Sequence, residues 1–400
     1  MTPIPNQATA LRLQNARSVL LAALQQWPCS KPELAMRTGL TQMTIGKVVD
    51  QLLSLGCFVR AGDALVSGQG RPPLRVAPNP ACDLVGIELG VRRTVVYRFG
   101  LGGAAGPQQH WQLPAHASLD ALRAELRRCR EPRAPAPRAV MVTVPGVLDV
   151  ESGAVVYSPN LHWTEGRELL AGLAQDFAAP VHAVHEAQAQ ALGHLGCPEA
   201  ADHFLLVDLG DGVGCAAVAD GYLQAGPSPL RGEIGHTAVP GNLRRCGCGA
   251  QGCIETLAGR AGLLRSFREA SGQHGADWDE MQRTLQGGDL PPWLTATLDA
   301  LSMVVAGALN LLGYANVVFV GELTTLHAQV MPTLCDGLAR HSLLGRFGRV
   351  GCSAAAPRRQ FGLLAAAVDR VYLPAVAAAA PRSGSARTAA RIRPARTPGG

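Results

Sequence analysis

The chain has 400 residues, 47% of them hydrophobic and 16% charged, which makes room for two or three domains and excludes a disordered protein. Aromatic residues are only 4%, so the core has to be built from Ala, Leu and Val. The net charge of +6 is unevenly placed: residues 1–80 hold eight Lys or Arg against three Asp or Glu, and residues 381–400 hold five Arg and no acid. A basic head on a mildly acidic body points to a polyanionic partner for the head.

Ala16, Val19, Leu20, Ala23 and Leu24 recur at helical spacing and predict a first helix. Ser30-Lys31-Pro32-Glu33 is a capping box, in which the Ser30 hydroxyl accepts from the Glu33 backbone and the Glu33 carboxylate reaches back. It opens a short helix to about Arg37. Gly39 supplies a turn, and Thr41 caps a third helix whose apolar stripe is Ile45, Val48, Val49, Leu52 and Leu53, closed by Gly56. Cys57–Arg60 and Ala64–Ser67 predict a hairpin around Ala61-Gly62-Asp63. Helix, helix, turn, helix, hairpin is the order of a winged helix-turn-helix, whose last helix enters the DNA major groove. The predicted DNA contacts are Lys31, Thr41, Gln42, Met43, Thr44 and Lys47, with Arg71 in the basic segment after the wing reaching a minor groove. Val76–Asp83 reads as a linker.

From Leu84 the pattern is α/β. Strands are expected at Leu84–Leu89, Arg93–Phe99, Ala139–Val144, Val181–Val184, Phe204–Leu209, Cys215–Ala219 and Val317–Val320. Helices are expected at Leu119–Arg130, Glu168–Phe177, Ala187–Leu195 and 296–313, with an Asp220-Gly221 turn. Cys246, Cys248 and Cys253 lie within eight residues, ten residues after His236. One imidazole and three thiolates close a tetrahedron around Zn²⁺ with no open position, so the expected site is structural. The other eight cysteines are scattered and read as packed thiols. The uncharged run Leu301–Gly321 is long enough to span a bilayer, but Asn310, Gly313 and Asn316 divide it into a helix and a strand. With no charged-then-apolar leader at the start, the expected compartment is a reducing cytoplasm. The Ala-, Pro- and Gly-rich end, with Arg382, Arg387, Arg391, Arg393 and Arg396, reads as an unstructured tail from 376.

Gly-Glu-Ile-Gly-His at 232–236 joined to Cys-Gly-Cys-Gly-Ala-Gln-Gly-Cys-Ile-Glu at 246–255 resembles the ROK family of repressors and kinases, over about residues 10–375. The resemblance implies a two-lobed, actin-like (ribonuclease-H-type) body. The expected division is a head at 1–80, a first lobe at 81–195 completed by a helix at about 360–375, and a second lobe at 196–359 holding the zinc. It also implies sugar contacts at Asn160 (in Pro159-Asn160-Leu161), Glu186, Glu233, His236 and Glu255. Departures from the kinase pattern argue against an enzyme. Glu88-Leu89-Gly90-Val91-Arg92 stands where the kinases carry Asp-x-Gly-Gly-Thr, and Glu186 stands at the position of the catalytic Asp. Asp211 would face the phosphates. The expectation is a sugar-responsive repressor, a homodimer or tetramer, binding a DNA operator and a sugar or sugar phosphate. The alternatives are an ATP-dependent hexose or N-acyl-hexosamine kinase, and a regulator answering to a protein partner.

Overall fold

The structure is a computed structural model that describes residues 7–61, 74–81, 83–102, 109–129, 135–149, 152–197, 199–224 and 229–379. The head contains α1 (Gln7–Gln25), β1 (Cys29–Ser30), α2 (Lys31–Thr38), α3 (Gln42–Ser54), β2 (Phe58–Arg60) and β3 (Arg75–Pro78). The capping box forms: the Glu33 amide donates to Ser30 Oγ, and the Ser30 amide donates to the Glu33 carboxylate at 2.7 Å. Gly39, with φ 69°, ends α2 in a left-handed conformation that a side chain would strain. Thr41 Oγ1 then accepts from the Thr44 amide and starts α3. Ile45, Val48, Val49 and Leu52 are buried as their spacing requires.

Two head expectations change. The strand paired with β2 is β3, which is also paired with β1 and forms the centre of a three-stranded sheet. Val76–Pro78 is therefore part of the head and not a linker, because its backbone groups complete both neighbouring ladders. The predicted strand at 64–67 and Arg71 lie outside the described residues.

The body repeats one sheet twice. The first lobe has β4 (Leu84–Glu88), β5 (Arg93–Phe99), β6 (Gln109–Pro114), α4 (Leu119–Cys129) and β7 (Ala139–Val144). It continues with the hairpin β8 (Val147–Asp149) and β9 (Ala154–Tyr157), then α5 (Glu168–Phe177), β10 (Val181–His185) and α6 (Glu186–His194). Its main sheet runs β10-β7-β4-β5-β6, antiparallel across β4-β5-β6 and parallel across β4-β7-β10.

The second lobe has β11 (Phe204–Leu209), β12 (Val213–Ala219), β13 (Tyr222–Leu223), α7 (Glu255–Ala258), α8 (Arg260–Ser271), α9 (Trp278–Leu285) and α10 (Pro292–Leu312). It ends with β14 (Asn316–Val320), α11 (Val330–His341), α12 (Leu343–Phe347) and β15 (Gly351–Ala355). Its sheet runs β13-β12-β11-β14-β15 with the same succession of antiparallel and parallel pairs. Strands β7 and β11, apolar except for Thr143 and Asp208, are buried along their whole length, as expected for sheets covered on both faces. Helix α10, whose one charged residue is Asp299, lays Leu294, Leu298, Leu301, Val305 and Leu309 into the core of this lobe.

The chain then returns to the first lobe through α13 (Arg359–Ala367), a π-helical turn (Val368–Tyr372) and α14 (Leu373–Ala378). Leu363, Val368, Tyr372 and Val376 are buried in one core that also takes in Leu20, Val49 and Leu52 of the head and Phe99 and Met141 of the first lobe. The tail expectation is corrected here: Val376 is fully buried, so the helix runs past 376, and the five arginines lie outside the described residues. The cysteine expectation is corrected too. Cys335 on α11 and Cys352 on the edge strand β15 form a disulfide, their Cα atoms 5.6 Å apart, because the fold places helix and strand side by side. Cys29 and Cys57 are buried thiols, as expected.

Candidate functional site

The loop between Ile234 and Glu255 is folded around its cysteines. Backbone bonds from Cys246 to Ala250, Gly249 to Cys246 and Gly252 to Arg244 wrap it tightly, and Asn242 donates to the Cys253 carbonyl. His236 Nδ1 lies 3.5 Å from Cys246 Sγ, and Cys248 Sγ lies 3.6 Å from Cys253 Sγ. All four donor atoms fall within 4.8 Å of one another. Metal–sulfur bonds of about 2.3 Å in a tetrahedron put sulfurs about 3.8 Å apart, so this donor set fits Zn²⁺. The same loop braces the other lobe: the Tyr157 hydroxyl donates to the Gly247 carbonyl, which fixes the turn carrying Pro159 and Asn160.

The narrow end of the cleft, a cavity of about 70 Å³, gathers Asn160, Glu186, Glu233, His236 and Glu255. All five expected sugar contacts therefore line one pocket, drawn from both lobes. Glu255 Oε2 accepts from the Val213 amide at 2.9 Å, and a Cβ on Gly212 would stand 2.5 Å from that oxygen. Glycine at 212 keeps the carboxylate in the pocket wall. The Glu233 carboxylate sits between two imidazoles, with Oε1 3.6 Å from His185 Nε2 and Oε2 3.6 Å from His236 Nε2. Neither distance is a hydrogen bond, and Oε1 has no hydrogen-bond partner among the described residues. Burial pushes the Glu233 carboxyl above its usual range. The Ala187 amide donates to His185 Nδ1, so the His185 proton sits on Nε2 and faces Glu233. Burial drives the His185 pKa down to about 4, and the ring is neutral.

Sequence reasoning missed the residue at the centre. Arg359, the first residue of α13, pairs with Glu186 Oε1 at 2.6 Å and Asp208 Oδ2 at 3.0 Å. Its Nε has no partner among the described residues. Burial outweighs this partner and lifts the Glu186 pKa to about 7. Asp208 is also raised by burial. A lone acid in the apolar strand Phe204–Leu209 was the available signal for Asp208; nothing local marked Arg359.

Beyond Arg359 the cleft widens to a cavity of about 930 Å³. Several of its charges are paired with one another, while Arg93 and Arg358 also line it. Arg92 bonds Asp211 at 2.8 Å and Glu322 at 3.3 Å, and Arg260 also bonds Glu322. Glu88, at the end of β4, accepts from the Tyr97 hydroxyl.

On the head, Thr41, Gln42, Met43 and Lys47 are exposed, Met43 at 73%, and Thr44 is half-buried. They form the free N-terminal end of α3. Lys31 is not in that group: it pairs with Asp50 at 2.8 Å and ties α2 to α3. Head and body meet at Arg17 of α1, which is only 7% exposed. Its Nε donates to Asp369 of the π turn at 2.7 Å, and its guanidinium lies over the Tyr222 ring of the second lobe, 4.2 Å from the centroid. Gln51 of α3 donates to the Val376 carbonyl.

A duplicated sheet around a cleft, a Cys/His loop at its mouth and a helix-turn-helix head define a two-lobed, actin-like protein of the kind that repressors and sugar kinases share. The chain belongs to the ROK family, whose model matches residues 84–357. It is 26% identical to the xylose repressor of Bacillus subtilis (strain 168) over 268 residues, 65% of this chain and 69% of that one. It is 24% identical to the transcriptional dual regulator NagC of Escherichia coli (strain K12) over 343 residues, 80% of this chain and 83% of that one. The fold matches a ROK family transcriptional regulator described as a homolog of the E. coli MLC protein, with a TM-score of 0.71 at 19% identity, over 92% of this chain and 99% of that one. It also matches a ROK family glucokinase from Streptomyces griseus in complex with glucose and AMPPNP, with a TM-score of 0.60 at 20% identity, over 72% of this chain and 99% of that one.

Proposed function

We propose that the protein is a sugar-responsive transcriptional regulator, a repressor by its kinship, that binds operator DNA through α3 and a sugar between its lobes, in the cytoplasm. The observation that carries this reading is Arg17. One buried side chain in the head touches both Asp369 in the C-terminal helical run of the first lobe and Tyr222 of β13 in the second, so a change in lobe position acts on the head's seat. The narrow pocket of about 70 Å³ is small for a sugar and opens toward the wide cavity, so seating a sugar shifts the lobes that line it. Binding is thereby linked to lobe position, and lobe position to the head.

In this reading Cys246, Cys248, Cys253 and His236 Nδ1 hold a structural Zn²⁺, which lends the loop its rigidity. His236 Nε2 stays on the pocket side beside Glu233. Asn160, Glu186, Glu233 and Glu255 accept or donate to sugar hydroxyls. Gln42, Met43, Thr44 and Lys47 meet base edges and phosphate. A two-fold dimer matches a palindromic operator, and Leu311, Leu343 and Phe347 are exposed apolar side chains of the second lobe available to a second copy.

The kinase alternative is weaker. Arg92 is consumed by Asp211 and Glu322, and Glu186, at the position of a catalytic base, is held by Arg359. Acidic groups stand where a triphosphate would lie.

The test is to select random-sequence DNA with the full-length, zinc-loaded protein and titrate sugars into the selected complex, following fluorescence anisotropy. A palindromic site whose affinity changes at least about tenfold with one sugar is the expected result. Replacing Lys47 with Ala should lower the salt slope of DNA binding by about one contact. ATP-dependent phosphorylation of a sugar by the same preparation would overturn the reading.

A further inference from the structure

The pocket already contains a ligand of its own. Arg359 reaches in from the start of α13 and supplies donors to Glu186 on the first lobe and Asp208 on the second. Glu186 is one of the groups that a sugar hydroxyl would use, and Arg359 lines both the narrow pocket and the wide cavity. The fit is incomplete. Arg359 Nε and Glu233 Oε1, both on the pocket wall, are buried without hydrogen-bond partners among the described residues. Buried polar atoms left open in this way mark a place where a better-matched molecule gains. From Arg359 a continuous helical run reaches Asp369, which holds Arg17 of the head, and the Val376 carbonyl, which holds Gln51 of α3. The π turn that presents Asp369 interrupts this run midway, a local irregularity that often sits at functional points.

We propose that Arg359 is a built-in competitor of the sugar: it holds Glu186 and Asp208 until a hydroxyl- or amine-bearing sugar takes over those carboxylates, and its release is the signal that α13 and α14 carry to the head. The ligand class follows. To replace a guanidinium at two carboxylates a molecule must offer hydrogen-bond donors. A sugar with free hydroxyls or an amine does so, and a phosphate, which offers acceptors to an acidic wall, does not. The proposal rests on the sugar-responsive reading above and adds the residue that couples the two sites.

Competition predicts an unusual pair of effects. The apparent affinity of a ligand is reduced by the fraction of protein whose pocket is closed to it, and removing the competitor removes that reduction. Arg359→Gln should therefore bind the sugar more tightly, by about threefold or more, while the DNA complex no longer responds to it. Arg359→Lys keeps a cation but loses the paired donors, and should restore part of the response. Asp369→Asn, outside the pocket, should leave sugar affinity unchanged and reduce the DNA response.

The measurements are calorimetric titrations with xylose, glucose, glucosamine and N-acetylglucosamine, and with inorganic phosphate as the donor-poor probe. Anisotropy on the selected DNA is followed in parallel, and circular dichroism checks that each variant is folded. Weaker or unchanged sugar binding in Arg359→Gln, a wild-type DNA response in either Arg359→Gln or Asp369→Asn, or displacement by inorganic phosphate alone would each overturn the proposal while leaving a sugar-responsive regulator intact. If no sugar binds the folded, DNA-binding wild-type protein, the sugar reading itself fails and the proposal falls with it.

Discussion

At the narrow end of the cleft Glu233 Oε1 and Arg359 Nε stay without hydrogen-bond partners among the described residues, whereas at the wide end Arg92, Arg260, Asp211 and Glu322 neutralise one another across the lobes. The two ends share the residues Gly90, Glu186, Gly210, Asp211 and Arg359 and differ in what they leave to be done. Open polar atoms next to a rigid metal-type loop are a demand for a ligand. Self-paired charges on half-exposed side chains are a surface already satisfied. The difference separates a pocket wall with polar atoms left open from a wall on which Arg92, Arg260, Asp211 and Glu322 satisfy one another.

The largest effect that would break this comparison is loss of the metal. Structural zinc binding is worth on the order of 10 kcal/mol in small domains, so chelation should lower the melting temperature by on the order of 10 °C or more and abolish sugar binding, because Glu233, His236 and the Asn160 turn all lean on that loop. Metal analysis beside a thermal melt checks it, and an unchanged melt after full chelation would mean that the cluster is not a structural zinc site.

Next in size is Glu233→Ala, which removes the open carboxylate and should weaken sugar binding by on the order of 1–3 kcal/mol without changing DNA affinity in the absence of sugar. Calorimetry separates the two.

Glu186 tests the junction of the two ends. Its pKa, raised to about 7, means that the folded protein keeps a proton that the unfolded chain releases near 4.5. Stability from this group is therefore present at low pH and lost as pH rises toward 7. Melting curves should show the wild type falling relative to Glu186→Gln between pH 5 and 7.5, by on the order of 1–3 kcal/mol. His185, held neutral with a pKa of about 4, acts in the opposite sense in both proteins: its contribution is present above about 6.5 and lost as pH falls toward 4.

The smallest effect belongs to the wide end. Arg92→Ala breaks two ion pairs of a side chain that is 49% exposed and should cost less than about 1 kcal/mol, with sugar affinity unchanged. A large loss of sugar binding in this variant would show that the wide end takes part in recognition after all.

Much of this was legible along the chain. The capping box at Ser30, the left-handed Gly39 and the cap at Thr41 are decided within a few residues by backbone hydrogen bonding, and they formed as read. So did the strands Arg93–Phe99, Ala139–Val144 and Phe204–Leu209, whose apolar runs admit little else. The Cys/His set could be read because its spacing in sequence is its spacing in space. The pair Lys31–Asp50 was not legible, because the partner lies one helix away. The linker expectation failed at Val76 for the same reason: a four-residue strand is recognisable only by its neighbours.

The sequence by itself determined the local parts: a helix-turn-helix, a Cys/His loop, alternating strands and helices, and the polar residues that line the narrow pocket. Those follow from short-range capping, periodicity and spacing. Only the tertiary structure decided which charges meet. Arg359 reaches Asp208 across 151 residues of chain and Arg17 reaches Asp369 across 352, and no local pattern encodes either pair. An ion pair depends on where two elements pack, and that is settled when the two lobes, the head and the returning C-terminal helix bury their apolar faces in common cores.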